Sequence, residues 1–320
     1  MSVAPDTDSM ALPVLAPVLP IPVQVLAPLA PATLALAMLG VAVLAVVGAV
    51  VMRRRRFDRD VAAAVDELRT RSSTETESER VYTRENVEEL PDPVRTYFDA
   101  VLTEGQPRAR TARIEQHGTL LLGDTWKPFS GTQYVTVDPP GFVWDATVRF
   151  APLVPVRVVD AYVDGEGSLR AKLLSALTVS AAAPSPELNE SELLRYLAEG
   201  VWVPSALLPG AGVKWEAIDD QSARATLEDG DTTASLVFHF DDWRVERVHA
   251  EARYRQEDDD VAPWTGYLGA YEQFEGVRVP TQAEIEWTLP DGDYPYWRGE
   301  IESVTYDPKS VSKRDSSSSE

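Results

Sequence analysis

The chain has no cysteine among its 320 residues. Disulfides, thiolate zinc sites and cysteine nucleophiles are therefore excluded. Lysine is scarce: of 30 basic residues only Lys127, Lys172, Lys214, Lys309 and Lys313 are lysine, and 51 acidic residues leave a net charge of −21. Such a surface repels nucleic acid and anionic surfaces. Acidity with little lysine also suits high salt, where self-repulsion is screened, so the expected setting is halophilic. The three histidines are His117, His239 and His249. If Phe240 opposes Glu246 on the next strand, His239 and His249 are diagonal neighbours on a polar face, but a metal needs a third ligand and none accompanies them. No metal or other cofactor is expected. The sequence also lacks a G-x-S-x-G elbow, a phosphate-binding glycine loop and a dinucleotide fingerprint. A non-enzymatic protein is the expectation.

What is present starts with an uncharged run from Pro31 to Met52, 22 residues that stop against Arg53-Arg54-Arg55-Arg56. At roughly 1.5 Å per residue the run makes about 33 Å of helix, enough to cross a hydrocarbon core of about 30 Å. A cleaved signal peptide would have a basic start, a shorter apolar run and a small-x-small cut site in place of the arginines. The run is read as a retained single-pass transmembrane helix. Residues 1–30 before it are apolar but interrupted by proline, which removes helix hydrogen bonds. Arg53 to Arg56 and Arg59 all follow the span, and basic flanks favour the cytoplasmic side, so the C-terminal part is expected in the cytoplasm.

Residues 53–80 read as a basic stop, a charged helical stalk and a linker. Val61, Val65 and Leu68 form one stripe of the stalk, and Ser72 to Arg80 lacks apolar periodicity. Residues 81–308 are the expected folded domain. Asp92 and Pro93 open a helix whose Val94, Tyr97, Phe98, Val101 and Leu102 share one face before Gly105. Five β-rich runs follow, Ile114–Leu122, Gly131–Val137, Gly141–Phe150, Val154–Val163 and Ser168–Val179, joined by turns too short for anything but antiparallel pairing. A second helix spans Pro186 to Glu199, with Ser185 or an Asn189-x-x-Glu192 box as its start and Gly200 after it. It leads into Val201 to Pro209, which is apolar, punctuated by proline and expected to be buried. Seven more runs complete the pattern: Val213–Ile218, Ala223–Leu227, Thr232–Phe240, Val245–Tyr254, Gly266–Phe274, Gln282–Leu289 and Trp297–Tyr306. On Val245–Tyr254, the alternation sends Val248, Ala250, Ala252 and Tyr254 inward and Arg247, His249, Glu251 and Arg253 outward. The fold class is mainly β with α+β character. It is expected as one large curved antiparallel sheet or half-barrel of about eleven or twelve strands, with helices on its concave side. Residues 309–320 are compositionally a disordered tail.

Four strings carry a resemblance: Leu90 to Phe98 (LPDPVRTYF), Glu192 to Glu199 followed by Val201 to Pro209, Ser222 to Thr226 (SARAT), and Tyr294 to Gly299 (YPYWRG). Over roughly Val81 to Asp307 the chain resembles an uncharacterised prokaryotic family, a domain of unknown function found in membrane-anchored proteins. No reaction is assigned to that family, so no catalytic residues carry over. Its strand-rich plan is similar to lipoprotein-carrier folds, in which a curved sheet wraps helices around an apolar hollow.

Carboxylates cluster at Asp219-Asp220, Asp229-Gly-Asp231, Asp241-Asp242, Glu257 to Asp260 and Asp291-Gly-Asp293. All sit at predicted turns, and none has the spacing of a calcium loop. The aromatics are more suggestive. Trp144, Trp202, Trp215, Trp264, Trp287 and Trp297, with Tyr162, Tyr196 and Tyr271, are spread over many strands yet converge if the sheet curls, and such side chains line apolar pockets as well as ordinary cores. Arg224 and Arg298 lie within the strings and pair with carboxylates or hold an anionic headgroup. The candidate ligand contacts are nine of these residues: Trp144, Tyr162, Tyr196, Trp202, Trp215, Arg224, Trp287, Trp297 and Arg298. Three functions remain open: a membrane-tethered module binding an apolar or amphiphilic, lipid-like molecule; a protein-interaction or envelope scaffold with a filled core; and a hydrolase built on acidic residues. Expected partners are membrane lipids through the anchor and a hydrophobic small molecule, with no nucleic acid. A continuous apolar cavity distinguishes the first function from the second.

Overall fold

The computed structural model describes residues 31–72, 81–151 and 154–307. The proline-rich segment 1–30, the linker beyond Ser72 and the tail from residue 308 lie outside the described residues. The chain falls into two compact units divided between Val47 and Gly48.

The described part of the first unit is entirely helical, the start of α1 (Pro31–Arg71). Large apolar side chains along it are exposed, Leu36, Met38, Leu39 and Leu44 among them. This helix is long and apolar enough to cross a membrane.

In the second unit, the rest of α1 is no free stalk. Phe57, Val61 and Leu68 bury themselves against Val143, Val159 and Ala161 of the sheet, with Val65 half-buried beside them. Polar contacts frame that seam: Arg157 forks onto Asp145 through Nε and Nη2, each at 2.7 Å, and its Nη1 donates to Asp58 of α1.

The sheet has thirteen antiparallel strands in the order β6-β5-β4-β3-β2-β1-β13-β12-β11-β10-β9-β8-β7. The first six are β1 (Thr111–Leu122), β2 (Thr125–Thr136), β3 (Gly141–Ala151), β4 (Val154–Val163), β5 (Glu166–Leu173) and β6 (Leu177–Ala182). The other seven are β7 (Lys214–Asp219), β8 (Ser222–Asp229), β9 (Thr232–Asp241), β10 (Arg244–Arg255), β11 (Asp260–Phe274), β12 (Val277–Leu289) and β13 (Gly292–Tyr306). The expected run Ser168–Val179 is in fact two strands, because Leu174 and Ser175 take left-handed backbone (φ 53° and 57°) and fold the chain back. The extra turn accounts for the thirteenth strand.

Two helices fill the concave side. α2 (Asp92–Val101) buries Val94, Tyr97, Phe98 and Val101, each contributing about 1.5–3 kcal/mol of apolar transfer. Asp92 is its first helical residue, with Pro91 before it, and pairs with Arg95 at 2.6 Å. α3 (Pro186–Glu199) starts on Ser185, whose hydroxyl accepts from the Leu188 amide at 3.2 Å. Asn189 instead accepts from the Gly167 amide at 2.8 Å. Gly200 is helical in backbone and the chain continues in tight turns; a Cβ there would sit 2.5 Å from Leu207 Cδ2, so close packing demands the glycine. Val201 to Leu208 are all buried.

α3 touches β3, β4 and β5 on one arm of the sheet and β9 and β10 on the other. Eight strands separate β5 from β9 in the sheet order, so the sheet must curl around α3 to bring both to one helix. It stays open, with β6 and β7 as its edges.

Candidate functional site

The curl leaves a cavity of about 490 Å³ between α3 and the inner face of the sheet. Period-2 alternation aims Val158 and Asp160 of β4, Leu169 and Ala171 of β5, and Ala283, Ile285 and Trp287 of β12 into it. Five indoles dominate the wall: Trp144, Trp202, Trp264, Trp287 and Trp297, each at most 9% exposed. They interlock with other rings. Trp144 and Trp297 each lie 5.7 Å from Phe129, Trp202 is 6.5 Å from Trp297, and Trp287 stacks on Tyr296 at 6.0 Å. Trp264 Nε1 donates to the Tyr296 hydroxyl at 3.0 Å, and Trp202 Nε1 donates to the Pro280 carbonyl at 3.0 Å.

Local irregularities build this wall. On β13 the register slips by one, so that Ile285 faces Trp297 while Glu286 faces Pro295. The bulge at Tyr296 lets Tyr296 and Trp297, adjacent in sequence, both reach the cavity. Gly299 completes the arrangement, since a Cβ there would lie 2.0 Å from Trp297 Cη2. A second bulge lies in β10, where Ala250 pairs with Trp264 but Arg253 pairs with Ala262. The extra residue reverses the alternation beyond Ala250: Ala252 turns out to solvent and Arg253 turns in, 7% exposed. The expected inward Ala252 and outward Arg253 are thus exchanged. A third slip, at Glu246, sets Phe240 opposite Val245 in place of Glu246. His239 then faces Arg247 and His249 faces Val237, with His249 Nδ1 3.0 Å from Thr265 Oγ1.

The other wall is one stripe of α3: Leu188, Ser191, Glu192, Arg195, Ala198 and Glu199. Its charged members form a buried network. Arg195 donates to Asp160 and, at 2.8 Å, to Glu199, which also accepts from Gln133 Nε2 at 2.5 Å. Gln133 in turn accepts from Gln116 at 3.1 Å. Burial, and next the neighbouring Asp160, push the Glu192 carboxyl up to about 8, and burial likewise raises Asp160. Among the described residues, four buried atoms around the cavity have no hydrogen-bond partner: Asp160 Oδ1, Glu192 Oε2, Trp144 Nε1 and Arg255 Nε. A ligand with a polar end would supply partners for such groups. The cavity is therefore amphiphilic, tryptophan-walled on one side and hydrogen-bonding on the other.

Of the nine residues singled out from sequence, the structure brings Trp144, Trp202, Trp287 and Trp297 together at the cavity. The other five lie elsewhere. Tyr162 is fully buried and donates to Asp229 at 2.8 Å, and Tyr196 donates to the Thr136 carbonyl at 3.0 Å. Trp215 donates to the Leu207 carbonyl at 2.9 Å with its ring edge-on to Phe238. Arg224 alternates with the buried Ala223 and Ala225 and lines a separate polar groove with Asp231, Ser235 and Glu251. Arg298 is exposed, bonded to Glu284 at 2.5 Å and stacked 4.4 Å from the Trp126 ring. Sequence reasoning missed Asp160, Glu192, Arg195, Glu199 and Arg253, and it named Trp264 among the converging aromatics without counting it as a ligand contact. Two signals were available: a lone aspartate in the otherwise apolar end of β4, and charges at i, i+3 and i+7 of α3 inside one of the recurring strings.

Residues 88–306 match a family of unknown function, DUF6920, and the chain belongs to that family. No curated protein matches it. Among solved structures, the chain is similar to a DUF1329 family protein from Desulfovibrio piger, at 12% identity, 63% of this chain, 87% of that chain and a TM-score of 0.38. It is also similar to a LolA superfamily protein from Nitrosomonas europaea, at 10% identity, 70% and 91% coverage and a TM-score of 0.32.

Proposed function

We propose that this member of the DUF6920 family is a membrane-tethered, non-enzymatic module whose cavity binds an apolar or amphiphilic, lipid-like molecule. The cavity itself carries the reading. A tryptophan-walled hollow of about 490 Å³ falls within the range of small-molecule sites, and left empty it would forfeit the dispersion contacts of every ring that lines it. A scaffold with a filled core would keep no such space. A hydrolase built on the converging carboxylates is disfavoured because Arg195 already engages both Asp160 and Glu199. Trp144, Trp202, Trp287 and Trp297, together with Trp264, are assigned to the ligand's apolar part. The first half of α1 is the tether, and the basic cluster Arg53 to Arg56 with Arg59 favours a cytoplasmic domain.

Native mass spectrometry of the full chain released from lipid nanodiscs tests the binding. A stoichiometric apolar or amphiphilic ligand is expected, and Ala283→Trp, which fills the cavity, should lose it. An empty wild-type protein, or a ligand retained equally by the variant, overturns the reading. Sidedness has its own test, helped by the absence of cysteine. In intact cells, Ser310→Cys should resist a membrane-impermeant maleimide and react only after lysis; labelling of intact cells places the domain outside.

A further inference from the structure

One guanidinium at the cavity makes no direct ion pair among the described residues. Arg253 is 7% exposed, and at such burial a guanidinium is ordinarily matched by a carboxylate. Its Nε donates to Ser191 Oγ at 3.0 Å, a neutral acceptor, and none of the ion pairs among the described residues includes it. Indoles flank the guanidinium, whose Cζ lies 4.9 Å from the Trp264 ring centre and 5.6 Å from that of Trp287. With Nε engaged and aromatic rings alongside, the two terminal amino groups are the free edge of the fork at the cavity wall. Two carboxyls, Asp160 and Glu192, feel the Arg253 charge through space, which draws both of them down, but neither makes a direct ion pair with it. Arg195 holds Asp160 and Glu199, and Glu192, with its carboxyl pushed up to about 8, is protonated at neutral pH. A protonated Glu192 is a donor with an unsatisfied Oε2, so it adds to what an anion would meet there.

We propose that the cavity's ligand is an amphiphile ending in a carboxylate, seated on the terminal amino groups of Arg253 with Glu192 beside it and its chain along Trp264, Trp287 and Trp297. The inference rests on the binding reading above and names the chemistry of the ligand's polar end. A planar carboxylate matches the guanidinium fork in shape as well as charge, which a hydroxyl or an amine cannot do. The β10 bulge is the device that delivers the arginine, since without it Arg253 would face solvent.

The test compares palmitic acid, hexadecanol and hexadecylamine, which share a chain and differ only at the end, as competitors for a fluorescent fatty-chain probe on the full protein in nanodiscs. The acid should bind about tenfold to a hundredfold tighter than the alcohol, the range expected for a charge-assisted hydrogen-bonded pair in place of a neutral one. Arg253→Gln should erase that preference, bringing the acid-to-alcohol affinity ratio to about one. Equal binding of acid and alcohol by the wild type, or tighter binding of the amine, overturns the carboxylate assignment while leaving the cavity's role intact. Failure of all three to compete overturns the binding reading itself. Because the acid-to-alcohol ratio is measured on the wild type, the result stands even if Arg253→Gln does not fold.

Discussion

Tyr162 of β4 donates its hydroxyl to Asp229 of β8 at 2.8 Å, although eight strands separate β4 from β8 in the sheet order. The bond links the two arms across the concave side, and its geometry exists only because the sheet curls. Tyr162→Phe should cost about 0.5–1.5 kcal/mol, the net value of one hydrogen bond. In a double-mutant cycle, the cost should be absent when Asp229 is already Ala, which leaves the hydroxyl no side-chain acceptor there. Additive costs would mean that the two side chains do not cooperate in the folded protein.

Glu192 makes stability depend on pH with a definite sign. Its folded-state carboxyl is pushed up to about 8 from an ordinary 4.5, so the folded state holds a proton that the unfolded chain has released. The contribution is therefore full below about pH 4.5 and lost as pH rises through about 8. Glu192→Gln should flatten the fall in denaturation midpoint across that window and make the variant the more stable form on its alkaline side. Identical pH profiles for variant and wild type would show that the carboxyl is not held protonated.

Gly299 is the floor beneath the Trp297 ring. Gly299→Ala places a Cβ 2.0 Å from Cη2 and 2.4 Å from Cζ2 of that indole. Overpacking of this kind costs about 1–3 kcal/mol. The ring must also swing toward the cavity, so a changed near-ultraviolet circular dichroism band should accompany the loss of stability. An unchanged band and midpoint would mean that the ring has room to spare.

Phe57 anchors the second half of α1 to the sheet. It is 0% exposed, and Lys172 Nζ, Arg157 Cζ and Arg170 Cζ lie 4.1, 5.2 and 5.6 Å from its ring centre. Phe57→Ala should cost about 3–5 kcal/mol by emptying that site, and amide exchange should rise along residues 57–71. Exchange no faster than in the wild type would indicate that the helix is held by its polar contacts alone.

Much of the fold was legible because it follows from local rules. The inward Val248 and Ala250 of one strand and the i, i+3, i+4, i+7 face of Val94, Tyr97, Phe98 and Val101 are properties of neighbouring residues, and the structure buries those side chains. The candidate site was only partly legible. Trp144, Trp202, Trp287 and Trp297 were visible as large aromatics, whereas Glu192, Arg195 and Glu199 are charges on a helix that no local pattern ties to a cavity. Nothing local distinguishes a polar stripe facing water from one facing a cavity; the difference is whether a second arm of sheet lies opposite.

Arg253 marks the boundary most sharply. Composition, the uncharged run, the antiparallel strands and the curvature of a sheet too large to lie flat were all settled by residue type and spacing, since hydrophobic period and turn chemistry act over a few residues. Which side chains meet at the cavity was settled only by tertiary structure. One extra residue in β10 against β11 reverses the direction of every later side chain on that strand, and that register is set by the partner strand and the packing around it.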